Sequence, residues 1–438
     1  MSGGAGPVEL WARVQAVPLY VRVVLGVLAG VLLGVVFRHE PWFFGLSNAD
    51  LGPLGMLVIR LLKALATPLI FFAIIDAFLK TEIEARAGLR LAAVCLLNVS
   101  VAMIVGLALL NTLRSGDSWA GRLDELGLVA VAATSGPPAG VSLSPLKNFA
   151  AFIPENVVSP FSGNLVISVV LLAVLTGLAL RQVRAEFADF APLESAISAL
   201  TRVAAAILMR VAGWMPLAVL LIIADVVGKA GIGVFSVLWS FFGVILAGLL
   251  IHSLVWYPLS AWLLGGIRPL RLLRGGLDAI ITALSCNSSL ATMPVTLRCL
   301  NRLGVRDGPA RLSACVGTNF NNDGIMLYEA MATMFLCQAL GYDLTFSFQV
   351  TIVTASILAG VGIAGVPEAG LVILPLVLTA VGVPEAMIAV VIPLIVPVDW
   401  VLARVRSGVN VLADMQVAVL LDRMEPRSAG VPLGAGRD

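Results

Sequence analysis

The chain contains a series of apolar segments, each long enough to cross a lipid bilayer as an α-helix. Because an α-helix rises about 1.5 Å per residue, roughly 20 apolar residues span the hydrocarbon core. Six such segments come before residue 265, at 17–37, 51–79, 87–113, 157–180, 195–227 and 232–264. Of the 438 residues, 59% are hydrophobic and 12% are charged. The sequence therefore predicts an all-α polytopic membrane protein.

Basic residues between the segments favour a cytoplasmic N-terminus, because cytoplasmic loops are enriched in Lys and Arg. With the N-terminus inside, the inside loops and the C-terminal end hold Lys80, Arg86, Arg90, Arg181, Arg184, Arg268, Arg271, Arg274, Arg423 and Arg427. The loops assigned to the outside hold fewer basic residues. We therefore expect both termini in the cytoplasm. The expected location is the inner (plasma) membrane of a bacterium.

Several other classes of function lack support in the sequence. A formal net charge of +2 gives no basic surface for nucleic acid. The five cysteines form no C-x-x-C pair and the chain has two histidines, so a zinc site is not indicated, and His252 and the cysteines are interpreted as packing residues. Without a nucleophile elbow or an H-E-x-x-H motif, we expect no enzyme activity.

A polar stretch follows the apolar segment 386–398 near the C-terminus. Arg406, Asn410 and Asp414 are four residues apart, so on a helix they form one polar stripe, and Asp399 lies near its extension. A charge near the bilayer centre costs roughly 2.5–3.5 kcal/mol on insertion scales. Such residues face a protein interior or an aqueous cavity, and they usually mark the path of a solute or an ion.

Two apolar segments are interrupted by polar or small residues at their centres. The segment 279–294 contains Ser285-Cys-Asn-Ser-Ser289 and has arginines on both sides. The segment 351–380 is broken by the glycine-rich stretch 360–370 and has no basic residue on either side. The pattern predicts two re-entrant helical hairpins that enter from opposite sides of the membrane. Paired broken segments are typical of the inverted repeats of secondary transporters, with the binding site between the two hairpin tips.

A further apolar segment, 309–340, has a polar centre that would interrupt most helices. Its middle reads Gly317-Thr-Asn-Phe-Asn321-Asn322-Asp323-Gly324. Unwound backbone and side-chain oxygens inside a membrane suit a hard cation such as sodium. We therefore predict a broken helix at this position that takes part in cation binding.

Motifs between residues 278 and 422 carry a family resemblance. They are Cys286-Asn-Ser-Ser-Leu-Ala-Thr-Met-Pro-Val-Thr296, Asn321-Asn-Asp-Gly324, Leu327-Tyr-Glu-Ala330, Gly365-Val-Pro-Glu-Ala-Gly370, and Asp399-Trp through Asn410 to Asp414. In these motifs the chain resembles the dicarboxylate/amino acid:cation symporters, the glutamate-transporter family. The resemblance implies eight transmembrane helices with two re-entrant hairpins in inverted repeats, and a homotrimer.

The resemblance also implies two domains that move relative to each other. Helices 1 and 2 (14–80) and helices 4 and 5 with an extracellular loop (116–229) form a scaffold. Helix 3 (81–115) and the region 230–424, with helix 6, both hairpins and helices 7 and 8, form a transport domain. A flexible tail (425–438) follows.

Site residues are carried over from the family by position. Arg406 resembles the arginine that pairs with the solute's side-chain carboxylate, with Asn410 beside it. The remaining positions expected around the solute are Ser288, Ser289, Ile325, Gly365, Val366, Pro367 and Ala403. The positions expected around sodium are Asp414, Asn321, Asp323, Asn410, Gly317, Asn322 and Asn98. Glu329 is a candidate for proton coupling, and Arg404 matches an arginine expected to compensate charge.

Some positions depart from the family pattern. Ala403 stands where amino-acid carriers have the aspartate that receives the ammonium group, and an unpaired buried ammonium costs several kcal/mol. Asn322 and Ile325 replace a methionine and a threonine. Cys95, Asn98 and Val99 replace a tyrosine, a threonine and a serine around a sodium ion, which leaves the number of sodium ions open.

The resemblance implies a cation-coupled symporter that works by alternating access, and the departure at Ala403 favours a small dicarboxylate, such as a C4-dicarboxylate, as its solute. Sodium is the expected coupling ion, with a proton as a second candidate. The alternative is a symporter of acidic or neutral amino acids that uses Asp399 or water for the ammonium group. An anion channel is a more distant alternative, since a channel would conduct without accumulating solute.

Each of these side chains also has a purely structural interpretation. Arg406 could form an internal ion pair with Asp399 or Asp414, and Ser288 and Ser289 could cap or bond back to their helix. Asp323 and Asp414 could serve internal hydrogen bonds. Glu368, in the second hairpin, is interpreted as a hydrated tip residue.

Overall fold

The computed structural model describes residues 17, 19–38, 40–41, 45–80, 85–120, 153–163, 165–184, 186, 190–361 and 369–425. The described residues form helices and contain no β-strand, which confirms the all-α class. The helices of six or more residues are α1 (Leu19–Phe37), α2 (Asn48–Lys80), α3 (Ala85–Leu113), α4 (Val166–Arg184), α5 (Ala191–Ala212), α6 (Met215–Ala230), α7 (Val234–Ile251), α8 (Tyr257–Leu263), α9 (Pro269–Cys286), α10 (Ser289–Leu303), α11 (Asp323–Ala339), α12 (Phe346–Gly360), α13 (Ala369–Ala380) and α14 (Glu385–Met424).

The described helices pack in two groups. In the first group, α6 packs against α1 and α2, and α4 and α5 pack against α2. In the second group, α3 and α7 pack against α11, and α14 packs against α9, α10, α11 and α13. The division of the chain into a scaffold and a transport domain stays a prediction, but the contacts place the polar helix α14 at the centre of the second group.

Three glycines let α1 lie close to α6. Gly26, Gly30 and Gly34 are four residues apart and face α6. A Cβ at Gly30 would lie 2.6 Å from the carbonyl oxygen of Leu220, and a Cβ at Gly34 would lie 2.7 Å from Cβ of Val227. Small residues at this spacing bring helix backbones together in membranes, where van der Waals packing rather than hydrophobic burial drives association.

The described helices do not confirm the expected number of spans. Four described helices are long and apolar enough to cross a membrane: Asn48–Asp76, Arg86–Leu113, Ala191–Val211 and Leu238–Leu263. A fifth is added if the bent pair Met387–Val396 and Val398–Met424 is one span. The count of eight spans and two hairpins is therefore not confirmed.

The segment 195–227, expected to form one helix, forms two. It separates into α5 and α6 at Gly213 and Trp214. Pro216 follows in the first turn of α6, and a proline disfavours helical backbone before it and can begin a new helix. The sequence contained this signal, but the continuous apolar run outweighed it in our prediction.

The first predicted hairpin is a helix–turn–helix. Helices α9 and α10 are joined by Asn287, whose φ of 51° is left-handed, and by Ser288, which is the N-cap of α10. The helices run antiparallel, because Gly275 near the start of α9 contacts Leu303 at the end of α10. In the second predicted hairpin, α12 packs against α13, and residues 362–368 between them lie outside the described residues.

The predicted break in the segment 309–340 is confirmed. A π-helical turn at Leu312–Val316 leads into a 3₁₀ turn at Gly317–Asn319, and α11 begins at Asp323. Helix α14 is also bent, by 75° between Met387–Val396 and Val398–Met424. A proline at position 397 supplies no amide hydrogen to the helix, which favours a bend there. The polar centres of α11 and α14 are in contact, with the amide of Gly324 donating to Asn410 Oδ1.

Candidate solute and ion site

Arg406 is buried at the centre of the second helix group. Its Nη1 donates to Asp399 Oδ1 at 2.8 Å, and its Nη2 donates to Asp399 Oδ2 at 3.3 Å. The guanidinium lies 3.8 Å from the centroid of the Tyr328 ring. Arg406 is 2% exposed and Asp399 is 0% exposed. The internal ion pair that the sequence left open is therefore present, and it is with Asp399 rather than with Asp414.

The second hairpin contacts the same guanidinium. A Cβ on Gly370, at the start of α13, would lie 2.5 Å from Arg406 Cζ. The ion pair thus lies directly beneath the first turn of α13 rather than away from the hairpins. The predicted solute contacts Gly365, Val366 and Pro367, together with Glu368, lie outside the described residues.

We expect the substitution Gly370→Ala to lower the apparent solute affinity by roughly 10-fold, about 1.4 kcal/mol. The added methyl group has no space unless α13 moves away from Arg406. The KM for solute uptake in proteoliposomes measures the effect. Gly233→Ala is a matched control because its Cβ would meet no atom within 4 Å. Unchanged uptake by Gly370→Ala would show that this contact does not matter for binding.

Asn410 joins α14 to the broken helix. Its Oδ1 accepts a 2.8 Å hydrogen bond from the amide of Gly324, and its Nδ2 lies 3.4 Å from Asn322 Oδ1. A Cβ on Gly324 would lie 2.8 Å from the carbonyl oxygen of Arg406. This close approach explains the glycine. Along α14, Asn410 lies between Arg406 and Asp414. This position is consistent with the two roles predicted for Asn410, contact with the solute and contact with sodium.

The tip of the first hairpin is close to α14. Ser288 Oγ accepts a 3.2 Å hydrogen bond from the Ala291 amide, so this serine caps α10. Ser289 is buried, and its Oγ has no hydrogen-bond partner among the described residues. Ser407, which the sequence prediction missed, donates to Asn287 Oδ1 at 3.0 Å. The sequence signal for Ser407 was its position next to Arg406.

Two of the predicted solute positions present only apolar side chains. Ala403 and Ile325 are buried, at 3% and 5% exposure. The Ala403 side chain carries no acid, and its carbonyl oxygen lies 3.2 Å from Ser407 Oγ. In the described part of this region, the buried acids nearest Arg406 are Asp399 and Glu329, and both interact electrostatically with the guanidinium.

A second buried group on α14 and α11 contains two carboxylates. Asp414 and Asp323 are 3% and 0% exposed, and Asn321 Nδ2 lies 3.4 Å from Asp414 Oδ1. Among the described residues, Asn321 Oδ1 and Asp323 Oδ1 have no hydrogen-bond partner, and the one basic side chain within ion-pair distance of either acid is His252. Two buried carboxylates beside one histidine are neutralised either by a bound cation or by protons. The oxygen donors fit sodium, which prefers such ligands.

Two predicted sodium ligands are occupied by protein contacts. The carbonyl oxygen of Gly317 accepts the amides of Phe320 and Asn321, both at 2.7 Å. Asn98 is fully buried, with its Nδ2 bonded to Gln416 at 2.8 Å and its Oδ1 accepting from Trp256 Nε1 at 2.9 Å. Asn322 Nδ2 lies 3.4 Å from the carbonyl oxygen of Gly360.

His252 is more than the packing residue we expected. Its Nε2 lies 3.4 Å from Asp323 Oδ2, and Tyr257 Oη donates to the same oxygen at 3.0 Å. His252 and Tyr257 are five residues apart and are connected by a π-helical turn, His252–Trp256. Sequence reasoning missed these contacts because a π turn changes which residues share a helix face.

The remaining candidates occupy different environments. Glu329 is fully buried on α11, and neither carboxyl oxygen has a hydrogen-bond partner among the described residues. Arg404 lies 4.1 Å from the centroid of the Trp400 ring and donates to the carbonyl oxygen of Trp400 at 2.9 Å. Glu329 is thus placed near the arginine pair, whereas Arg404 contacts its own helix.

Residues 19–424 match the model of the sodium:dicarboxylate symporter family. The chain is 28% identical to excitatory amino acid transporter 3 of Mus musculus over 442 residues, covering 90% of the chain and 83% of that protein. It is 45% identical to an excitatory amino acid transporter of Caenorhabditis elegans over 171 residues, covering 39% of the chain and 33% of that protein. A third relative, excitatory amino acid transporter 1 of Mus musculus, is 38% identical over 227 residues, covering 50% of the chain and 41% of that protein.

Proposed function

The chain belongs to the sodium:dicarboxylate symporter family, a family of transporters rather than enzymes, and on that premise we propose that it is a sodium-coupled symporter of a small acidic solute. The observation that carries the proposal is the arrangement on one helix. Arg406 and Asp414 are eight residues apart on α14. Asn410 lies between them and accepts a hydrogen bond from the amide of Gly324 at the start of α11. A site for an anion therefore lies beside a site for a cation.

This arrangement gives a physical basis for coupling. A carboxylate that enters the region of Arg406 competes with Asp399 for the guanidinium fork, which suits a planar carboxylate. A sodium ion at Asp414 and Asp323 neutralises nearby negative charge. Since charges interact strongly in a buried site, each ion favours binding of the other, and the two binding free energies are linked.

An acidic amino acid is the first candidate solute. The names of the relatives, excitatory amino acid transporters, favour this alternative over a C4-dicarboxylate. In this chain the ammonium group would meet Asp399, since Ala403 carries no acid. When a solute carboxylate replaces Asp399 on Arg406, the Asp399 carboxylate becomes free to pair with the ammonium.

A C4-dicarboxylate is the second candidate, and Ala403 is the observation that favours it. A dicarboxylate has no ammonium group and needs no acid at that position. In this case Arg406 receives one carboxylate and the hydroxyl of Ser289 at the first hairpin tip, together with the second hairpin, receives the other.

Uptake into proteoliposomes distinguishes the two solutes. We expect saturable accumulation of labelled aspartate driven by an inward sodium gradient, with succinate as a weak competitor. The matched variant Ala403→Asp is expected to raise the aspartate-to-succinate preference by roughly 10-fold or more. Accumulation of succinate alone by the unaltered chain would establish the dicarboxylate alternative. Current without accumulation would contradict symport, and accumulation that ignores sodium would contradict sodium coupling.

The architecture proposed for this function follows the family. We infer eight spans with two re-entrant hairpins, a scaffold that contains α1, α2 and α4–α6, and a transport domain that contains α3 and α7–α14. The transport domain carries the site across the membrane by alternating access. The proposed assembly is a homotrimer in a bacterial inner membrane, with both termini in the cytoplasm. A proton carried by Glu329 is a second proposed coupling ion, and its buried, unbonded carboxyl group supports it.

A further inference from the structure

We propose that α3 supplies no sodium ligand, so that in the absence of solute each chain binds one sodium ion, at Asp414, Asn321 and Asp323. The resemblance places a sodium ion around Cys95, Asn98 and Val99 of α3. In this chain Asn98 belongs to a hydrogen-bonded network whose other members are Trp256, Ser260 and Gln416. The inference rests on the proposed sodium-coupled function and concerns the number of ions coupled.

The first step concerns Asn98, the polar member of the three α3 positions. Its Nδ2 donates to Gln416 Oε1 at 2.8 Å, and Trp256 Nε1 donates to its Oδ1 at 2.9 Å. Gln416 Nε2 in turn donates to Ser260 Oγ at 2.9 Å. Asn98 and Gln416 are fully buried, so breaking these bonds would leave polar groups unpaired in the protein interior.

The neighbouring α3 positions offer no substitute ligand. Cys95 and Val99 are both buried, at 8% and 5% exposure, and neither side chain contains an oxygen. Sodium is a hard cation, and hard cations are bound by oxygen ligands rather than by thiols or methyl groups. A sodium ion on this side would therefore find one amide oxygen that already accepts a hydrogen bond.

The second step concerns Asp323, which faces α3 from α11. Its Oδ2 accepts from Tyr257 Oη at 3.0 Å and lies 3.4 Å from His252 Nε2. The rings of His252 and Tyr257 are packed edge to face, with centroids 4.6 Å apart. Both side chains reach Asp323 because of the π turn between α7 and α8. One carboxylate oxygen of Asp323 is thus bound by protein groups.

The other oxygen of Asp323 remains available to an ion. Asp323 Oδ1 and Asn321 Oδ1 have no hydrogen-bond partner in the described part of the chain. Asn321 also lies against Asp414, with its Nδ2 3.4 Å from Asp414 Oδ1. One cation site therefore remains, at Asp414, Asn321 and Asp323, and the three α3 positions supply none.

Equilibrium binding of ²²Na⁺ to the purified, detergent-solubilised chain without solute tests the inference. We expect one sodium ion per chain at saturation. Asp414→Asn should abolish this binding. Asn98→Leu combined with Gln416→Leu removes the hydrogen-bonding pair together, and it should leave the stoichiometry at one and the sodium affinity within about 3-fold of the unaltered chain.

The outcomes separate this inference from the proposed function. Two or more ions per chain, or loss of one of them in the Asn98→Leu/Gln416→Leu variant, would overturn the inference while leaving sodium coupling intact. No sodium binding without solute would also overturn the inference, whereas solute uptake that ignores sodium would overturn sodium coupling itself. The number of sodium ions bound per unaltered chain tests the inference even where a variant fails to fold. A sodium-to-solute flux ratio in proteoliposomes gives an independent reading of the same number.

Discussion

Replacing Arg406 with glutamine is expected to reduce solute uptake by more than about 100-fold, equivalent to about 2.7 kcal/mol. The guanidinium is the buried cation beside the first turn of α13, and its two nitrogens bind a carboxylate in the fork geometry that a solute requires. Arg406→Lys should also fail to restore uptake, since an ammonium group cannot form that fork. Initial rates of uptake in proteoliposomes measure the effect.

Folding must be separated from binding in this test. Arg406→Gln leaves Asp399 as an unpaired buried charge, which costs roughly 3–5 kcal/mol. The double variant Arg406→Gln/Asp399→Asn removes both charges and should recover much of the stability but no uptake. Arg302→Gln is the matched control, because Arg302 forms an exposed pair with Asp278. Solute accumulation by a folded Arg406→Gln variant would refute the assigned role of the guanidinium.

Replacing Asp414 with asparagine is expected to weaken sodium-driven uptake about 100-fold or more, since the side chain keeps its size but loses its charge. Asp414 is 3% exposed, and it belongs to the proposed cation site together with Asp323 and Asn321. Without its charge, the sodium ion loses a carboxylate ligand and the solute loses the neighbouring cation. Uptake measured against external sodium concentration should show the sodium requirement shifted to much higher concentrations.

The exposed Asp307 provides a control for the same chemical change. Asp307 pairs with Arg311 one helical turn away, and both side chains are mostly exposed. Asp307→Asn should leave the sodium dependence unchanged, because exposed pairs contribute little. An unaltered sodium dependence in Asp414→Asn would show that the cation binds elsewhere.

The sequence alone was sufficient for the elements whose signal is local. Apolar length predicted helices, and the turn at Asn287 and the break at Gly317–Asn322 followed from residues that a continuous helix tolerates poorly. The polar stripe of Arg406, Asn410 and Asp414 was likewise visible, because its members share one helix. Each of these features depends on neighbours a few residues apart.

The tertiary structure decided which group each polar side chain binds. The sequence left Arg406 with two possible partners, and the folded chain places Asp399 against it. Asn98 meets Gln416 across 318 positions of sequence, and His252 meets Asp323 through a π turn that periodicity does not predict. The sequence shows that a buried polar group needs a hydrogen-bond partner. Which residue becomes that partner depends on how the helices pack, so it follows only from three-dimensional contacts.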